Sequence, residues 1–66
     1  MTTEELGVII HSRRKELRLT QREAAQGCHV GTRFLSDLEN GKETVELGKT
    51  LNVIHGLGLQ LRVEEM

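Results

Sequence analysis

The sequence has little material for cross-links of any kind. Its 66 residues include one cysteine, Cys28, so an intramolecular disulfide is excluded. It has no Cys-x-x-Cys pair and no cluster of histidine and cysteine that would hold zinc. We therefore expect neither a metal site nor a cofactor.

Long apolar runs and catalytic sets are also missing. The longest apolar run, Val8–Ile10, is far too short to cross a membrane. The unpaired cysteine and the lack of a signal peptide predict a cytoplasmic location. There is no nucleophile–base set and no glycine-rich phosphate loop, and Glu64 and Glu65 form a solvated terminus, so we expect no enzyme.

The chain is short enough to be one domain, 1–66, without a repeat, a linker or any proline. A chain of this size buries only about 60% of its unfolded surface, so it is marginally stable alone. A very regular helical core or dimerisation must therefore supply additional stability.

Charge is distributed unevenly along the chain. The net charge is −1, but residues 12–42 carry +3 and both flanking segments carry −2. A basic surface in the middle of the chain is what a polyanion would meet. An ordinary solvated helix face is the alternative interpretation of the same charges.

Two capping boxes predict the first two helices. Thr2–Glu5 has the spacing of one box and begins a helix near residue 3 that should run to about Arg18. Thr20 and Glu23 form the second box and begin a short helix over residues 21–27. Small residues form the inner face of the second helix: Ala24, Ala25 and Cys28.

A third helix follows a tight turn at residues 28–31. Leu35 and Leu38 are three residues apart and share its inner face, and Asn40-Gly41 ends it. Two short helices, a tight turn and a small inner face form a helix-turn-helix motif over residues 20–41.

A fourth helix and a strand are predicted after the motif. Thr44 can cap the helix, whose expected inner face is Leu47, Leu51, Ile54 and Leu57. Leu59, Leu61 and Val63 then alternate with polar residues, which predicts a strand at about residues 58–64. Because no second strand exists in the chain, the strand would pair antiparallel with a second copy in a twofold dimer; a frayed tail is the alternative.

The third helix carries the residues expected to meet DNA. In this motif the second helix enters the major groove, where Arg33 could bond guanine with two hydrogen bonds. Thr32 and Ser36 are small enough to let the helix lie deep. Gln21, Asn40 and the amides at helix starts could contact phosphates.

The spacing of the motif residues resembles the phage-repressor-like (Xre-type) helix-turn-helix family over roughly residues 6–57. The resemblance is carried by Thr20-Gln21, Ala25, Val30, Leu35, Leu38 and Glu39-Asn40-Gly41-Lys42. It implies the following DNA-contacting residues: Gln21, Gly31, Thr32, Arg33, Ser36, Asp37, Asn40 and Lys42. It also implies an ion pair between Arg14 and Glu39.

Two residues depart from the family pattern. Ala24 replaces a bulkier apolar residue, which thins the core. His29 stands where the turn usually has glycine, at a position that needs a positive φ, at a cost of roughly 1–2 kcal/mol. We interpret His29 as a turn residue, His11 and His55 as bystanders, and Arg13 as mainly solvated.

A narrower resemblance connects residues 30–42 and 44–63 with HipB-type antitoxins, in which a strand follows the fourth helix and pairs across the dimer. This resemblance implies an autorepressor of its own operon that binds palindromic operator DNA and a HipA-like serine/threonine kinase toxin. A phage- or restriction-type repressor without a toxin is one alternative. A helix-turn-helix protein-docking adaptor is another, favoured by the net acidic charge and by Asp37 on the groove face.

Overall fold

The computed structural model describes residues 1–66 and contains four α-helices. They are α1 (Thr3–Glu16), α2 (Gln21–Gly27), α3 (Thr32–Glu39) and α4 (Leu47–Gly56). The expected all-helical fold is confirmed. None of these helices combines the length and the apolar character needed to span a bilayer.

Both predicted capping boxes are present. At the start of α1, the Glu5 amide donates to Thr2 Oγ1 at 3.0 Å and the Thr2 amide donates to Glu5 Oε1 at 2.8 Å. At the start of α2, the Glu23 amide donates to Thr20 Oγ1 at 3.1 Å and the Thr20 amide donates to Glu23 Oε1 at 2.9 Å. These reciprocal bonds satisfy amides that a helix start leaves without partners.

Two residues after the last residue of each helix, the chain adopts the left-handed conformation. These residues are Arg18 (φ 58°), His29 (φ 59°), Gly41 (φ 81°) and Gly58 (φ 74°). The next amide then donates to the carbonyl five residues back, as Val30 does to Ala25 at 3.0 Å. The positive φ expected for His29 is confirmed. The expected end of α1 near Arg18 is wrong, because Arg18 reverses the chain and α1 ends at Glu16.

The start of α4 differs from the prediction. Its N-cap is Glu46 rather than Thr44, and no side chain caps the helix. Residues 43–44 form a turn, Val45 packs against the core, and the helix begins at Leu47, which is 67% exposed. Leu47 is therefore not part of the inner face. Thr50, Val53, Ile54 and Leu57 are buried there, and Leu51 packs against the core while partly buried, as expected.

One apolar core connects the four helices. Its nine buried members are Ile10, Ala24, Ala25, Cys28, Leu35, Leu38, Val53, Ile54 and Leu57. Helices α1 and α3 cross closely at Gly7, where a Cβ atom would lie 2.6 Å from the Glu39 carbonyl oxygen. Glycine is required at this crossing because any side chain would push α3 away.

The tail leaves α4 without forming a strand in the single chain. Residues 59–66 belong to no helix or strand, since no other extended segment of the chain offers them a partner. The tail instead borders an apolar groove lined mainly by Met1, Leu6, Ile9, Ile54, Leu59 and Leu61. Val63, further along, is 90% exposed.

Candidate nucleic-acid interface

Helices α2 and α3 form a compact helix-turn-helix unit. Ala24 and Ala25 are 2% and 1% exposed, and their small side chains allow close packing in the core. The left-handed His29 makes the short connection possible, because it turns the chain within residues 28–31. The unit therefore presents α3 as a second helix supported by α1 and α2.

The buried carboxylate of Glu39, at the end of α3, joins α3 to α1 and α2. The Glu39 side chain is 3% exposed and accepts two hydrogen bonds from Arg14: Nε to Oε2 at 2.6 Å and Nη2 to Oε1 at 3.0 Å. Arg14 is also buried, and its Nη1 donates to the Leu19 carbonyl at 2.8 Å. These are the two residues that the family resemblance pairs. The contact fixes the end of α3 against α1 and the loop that follows α1.

Two further side chains donate to Glu39. His11 Nδ1 lies 2.8 Å from Glu39 Oε1, within hydrogen-bond distance, and the ring donates to the carboxylate in the tautomer that has its proton on Nδ1. Gln21 Nε2 donates to the same oxygen at 3.2 Å. The interpretation of His11 as a bystander is therefore wrong, since it is part of the network that holds Glu39.

The network lowers the pKa of Glu39. Burial opposes ionisation and by itself raises the pKa. The hydrogen bonds from Arg14, His11 and Gln21, together with the charge of Arg14, outweigh it and bring the pKa from 4.5 to about 2. Glu39 is thus firmly ionised at neutral pH and serves as a fixed anchor between α1, α2 and α3.

The residues expected to meet DNA lie on α3 and at its two ends, apart from Gln21, which begins α2. Exposed members are Gly31, Thr32, Arg33, Asn40 and Lys42, and partly buried members are Gln21, Ser36 and Asp37. The opposite side of α3 is occupied by Leu35 and Leu38, which are buried. The helix therefore separates a polar open face from an apolar packed face.

Ion pairs organise the charged part of this face. Arg33 Nε donates to Asp37 Oδ1 at 3.3 Å, and Lys42 Nζ lies 3.6 Å from Asp37 Oδ2. Arg33 is otherwise open to solvent, with 90% of its side chain exposed. Asp37 thus has a cation on each of its two oxygens.

Two structural residues escaped the sequence analysis. Gly7 permits the close crossing of α1 and α3. The sequence could have indicated this, because a glycine inside a helix is unfavourable unless close packing requires it. Arg13, interpreted as solvated, is half-buried and donates from Nε to the Leu57 carbonyl at 2.8 Å. No local pattern marks that contact, because its partner is 44 residues away.

Metal ligands are not clustered anywhere in the structure: no group of three or more His, Cys, Asp or Glu side chains could hold an ion. The one thiol, Cys28, is buried in the core, and burial raises its pKa. The arrangement is suited to contact by hydrogen bonds and charges on the open face of α3.

Comparison with known proteins agrees with this geometry. Residues 5–65 match the family described as a helix-turn-helix domain. The chain is 40% identical over 62 residues to an uncharacterized HTH-type transcriptional regulator, y4mF, of Sinorhizobium fredii (strain NBRC 101917 / NGR234). The similarity covers 94% of this chain and 82% of that protein. The chain therefore belongs to the helix-turn-helix domain family and is a homologue of an HTH-type transcriptional regulator.

Proposed function

We propose that this chain is a sequence-specific DNA-binding protein that places α3 in the major groove and represses transcription by covering a promoter. The observation that carries the proposal is the open face of α3. Thr32 and Arg33 are exposed on it, and the small Ser36 lies beside them, while Leu35 is buried behind. Short polar side chains allow a helix to approach base edges closely, and arginine can bond guanine with two hydrogen bonds.

The start of α3 supports the same orientation. Its N-cap, Gly31, provides no side-chain hydrogen bond, so the first amides of the helix keep no partner. Helices α1 and α2 close their first turns with capping boxes, whereas α3 and α4 do not. Free amides at a helix start attract phosphate, because they donate hydrogen bonds at the positive end of the helix dipole.

Phosphate contacts from the two ends of the motif complete the proposed interface. Gln21 uses one amide hydrogen for Glu39 and keeps a second for a phosphate oxygen. Asn40 and Lys42, at the other end, are both exposed. Contacts of this kind fix the position of the helix on the duplex, and the side chains of α3 then provide the specificity.

We propose further that the chain acts as a twofold dimer in which residues 59–63 of two copies pair as antiparallel strands. The apolar groove beside the tail and the exposure of Leu61 and Val63, at 40% and 90%, support this assembly. Pairing would satisfy the backbone groups of the tail and cover apolar surface. The two α3 helices would then lie about 34 Å apart, which requires a palindromic operator.

The biological role that we propose is that of an antitoxin and autorepressor of a HipA-like toxin–antitoxin operon in the cytoplasm. The support for this role is the likeness of residues 30–42 and 44–63 to HipB-type proteins. Co-purification with the product of a neighbouring HipA-like kinase gene tests it. A neighbouring gene without a kinase sequence, or a kinase that forms no complex, would favour a phage- or restriction-type repressor.

Fluorescence anisotropy tests the DNA-binding proposal. The purified chain is titrated onto DNA from upstream of its own gene over a series of salt concentrations. We expect a Kd on the order of 10⁻⁸ M or tighter at physiological salt, with two chains per site. Affinity should fall steeply as salt rises, because bound phosphates release counterions.

A scrambled fragment of the same length and composition is the control for sequence preference. Equal affinity for both fragments would contradict specific binding by this chain. The protein-docking adaptor would then be the better account, since Asp37 lies on the open face and the net charge is −1.

A further inference from the structure

We infer that Asp37 is a positioning residue, which holds Arg33 and Lys42 in the directions needed for DNA, and does not itself read a base. This inference rests on the proposed function of α3. Asp37 lies one helical turn after Arg33, and its two oxygens are shared between Arg33 Nε at 3.3 Å and Lys42 Nζ at 3.6 Å. One carboxylate therefore restrains the two cations of this face.

The contact occupies the part of the arginine that guanine does not need. Arg33 offers one Nε–H and two terminal amino groups, and Asp37 engages the Nε–H. Both Nη groups remain free for the two acceptors of a guanine edge. Because the side chain is 90% exposed and has no other hydrogen-bond partner in the chain, Asp37 alone limits the directions in which it points.

Lys42 is held by Asp37 in two ways. Its amide donates to the Asp37 carbonyl at 3.0 Å, just after the left-handed Gly41, and its Nζ approaches the carboxylate. The backbone bond fixes where the loop after α3 begins. The side-chain contact then keeps the ammonium group beside α3 instead of letting it extend away from the face.

Stability of the free protein does not account for this arrangement. An exposed pair four residues apart on a helix contributes little to folding. An unpaired carboxylate next to phosphates would also weaken DNA binding, because like charges repel. With a cation on each oxygen, the negative charge is balanced where it would otherwise oppose binding. We therefore assign its role to the orientation of the two cations.

A double-mutant cycle tests the inference. The wild-type chain first selects a site from a pool of randomised double-stranded DNA. Affinities for this site and its single-base variants are then measured for Asp37→Asn, Arg33→Ala and the double variant. Glu43→Gln is the matched control. It removes one negative charge, as Asp37→Asn does, but Glu43 is exposed and forms no ion pair.

We expect Asp37→Asn to lower discrimination about fivefold at the base pair that Arg33 reads, within the range that one bidentate contact supplies. In the Arg33→Ala background it should cause no further loss of discrimination at that base pair, and Glu43→Gln should leave discrimination unchanged. Unchanged melting temperatures will verify that the variants are folded.

Additive losses at two different base pairs would overturn the inference, because Asp37 would then read its own base. Unchanged discrimination in Asp37→Asn would overturn it as well. A wild-type chain that selects no site would overturn the proposed function together with the inference, so the two failures are distinguishable.

Discussion

Replacement of Glu39 should strongly destabilise the fold. The Glu39 side chain is 3% exposed, and it pairs with the Arg14 side chain, which is 7% exposed. In Glu39→Ala this guanidinium stays buried without its counter-charge, which costs about 3–5 kcal/mol. The whole chain has a stability of roughly 3–10 kcal/mol, so the variant should be close to unfolded.

Acid should weaken the wild-type protein through the same group. The pKa of Glu39 is about 2 in the folded chain, against an ordinary value of 4.5. Because the folded pKa is the lower one, the ionised group stabilises the fold above pH 4.5, and this stabilisation is lost as the pH falls from 4.5 toward about 2. The difference corresponds to about 3 kcal/mol in the free energy of unfolding.

Urea unfolding followed by circular dichroism measures both effects. The wild type, Glu39→Ala and Glu39→Gln are compared at neutral pH and at a series of acidic pH values, with Glu43→Gln as the exposed control. Glu39→Gln should lack the share of acid sensitivity that Glu39 contributes. A loss below about 1 kcal/mol in Glu39→Ala, which is typical of exposed ion pairs, would refute the buried network. An acid profile of Glu39→Gln that matches the wild type would refute the assigned pKa.

Three further changes test the fold and the assembly. Gly7→Ala should lower the free energy of unfolding by about 1–3 kcal/mol despite the better helix propensity of alanine, because its Cβ would lie 2.6 Å from a carbonyl oxygen of α3. Gly48→Ala on the open side of α4 is the control. Equal melting temperatures for the two variants would refute the close crossing of α1 and α3. His29→Gly should raise the free energy of unfolding by about 1 kcal/mol, since glycine adopts the left-handed conformation without strain, and a lower melting temperature would show that the imidazole makes a favourable contact. Removal of residues 60–66 should shift sedimentation toward the monomer, whereas an unchanged sedimentation coefficient would exclude the tail from the dimer interface.

Local signals explain which parts of the fold were predictable. The capping boxes at Thr2 and Thr20 depend on neighbours within a few residues, and the structure confirms them. The positive φ of His29 was implied by the family pattern, and it is confirmed as well. The start of α4 was not predictable in the same way. The sequence predicts Thr44 as its N-cap, whereas Glu46 occupies that position without a side-chain hydrogen bond and residues 43–44 form a turn.

Tertiary contacts explain what the sequence could not reveal about the site. His11 contacts a residue 28 positions away, and the crossing at Gly7 depends on the path of α3. The pair of Arg33 and Asp37, by contrast, has a four-residue helical spacing that could have been recognised as an ion pair. The strand expected in the tail depends on a second chain, so it remains a prediction.

The central claim, that α3 reads DNA through its open face, is tested most directly by comparing the wild type with Arg33→Ala. Affinities are measured for the selected site, for every single-base variant of it and for scrambled DNA at one fixed salt concentration. We predict that Arg33→Ala costs about 1–3 kcal/mol on the selected site and removes the preference at one base pair of each half-site. An equal loss on every sequence, including the scrambled one, would contradict base reading and would make Arg33 a phosphate contact.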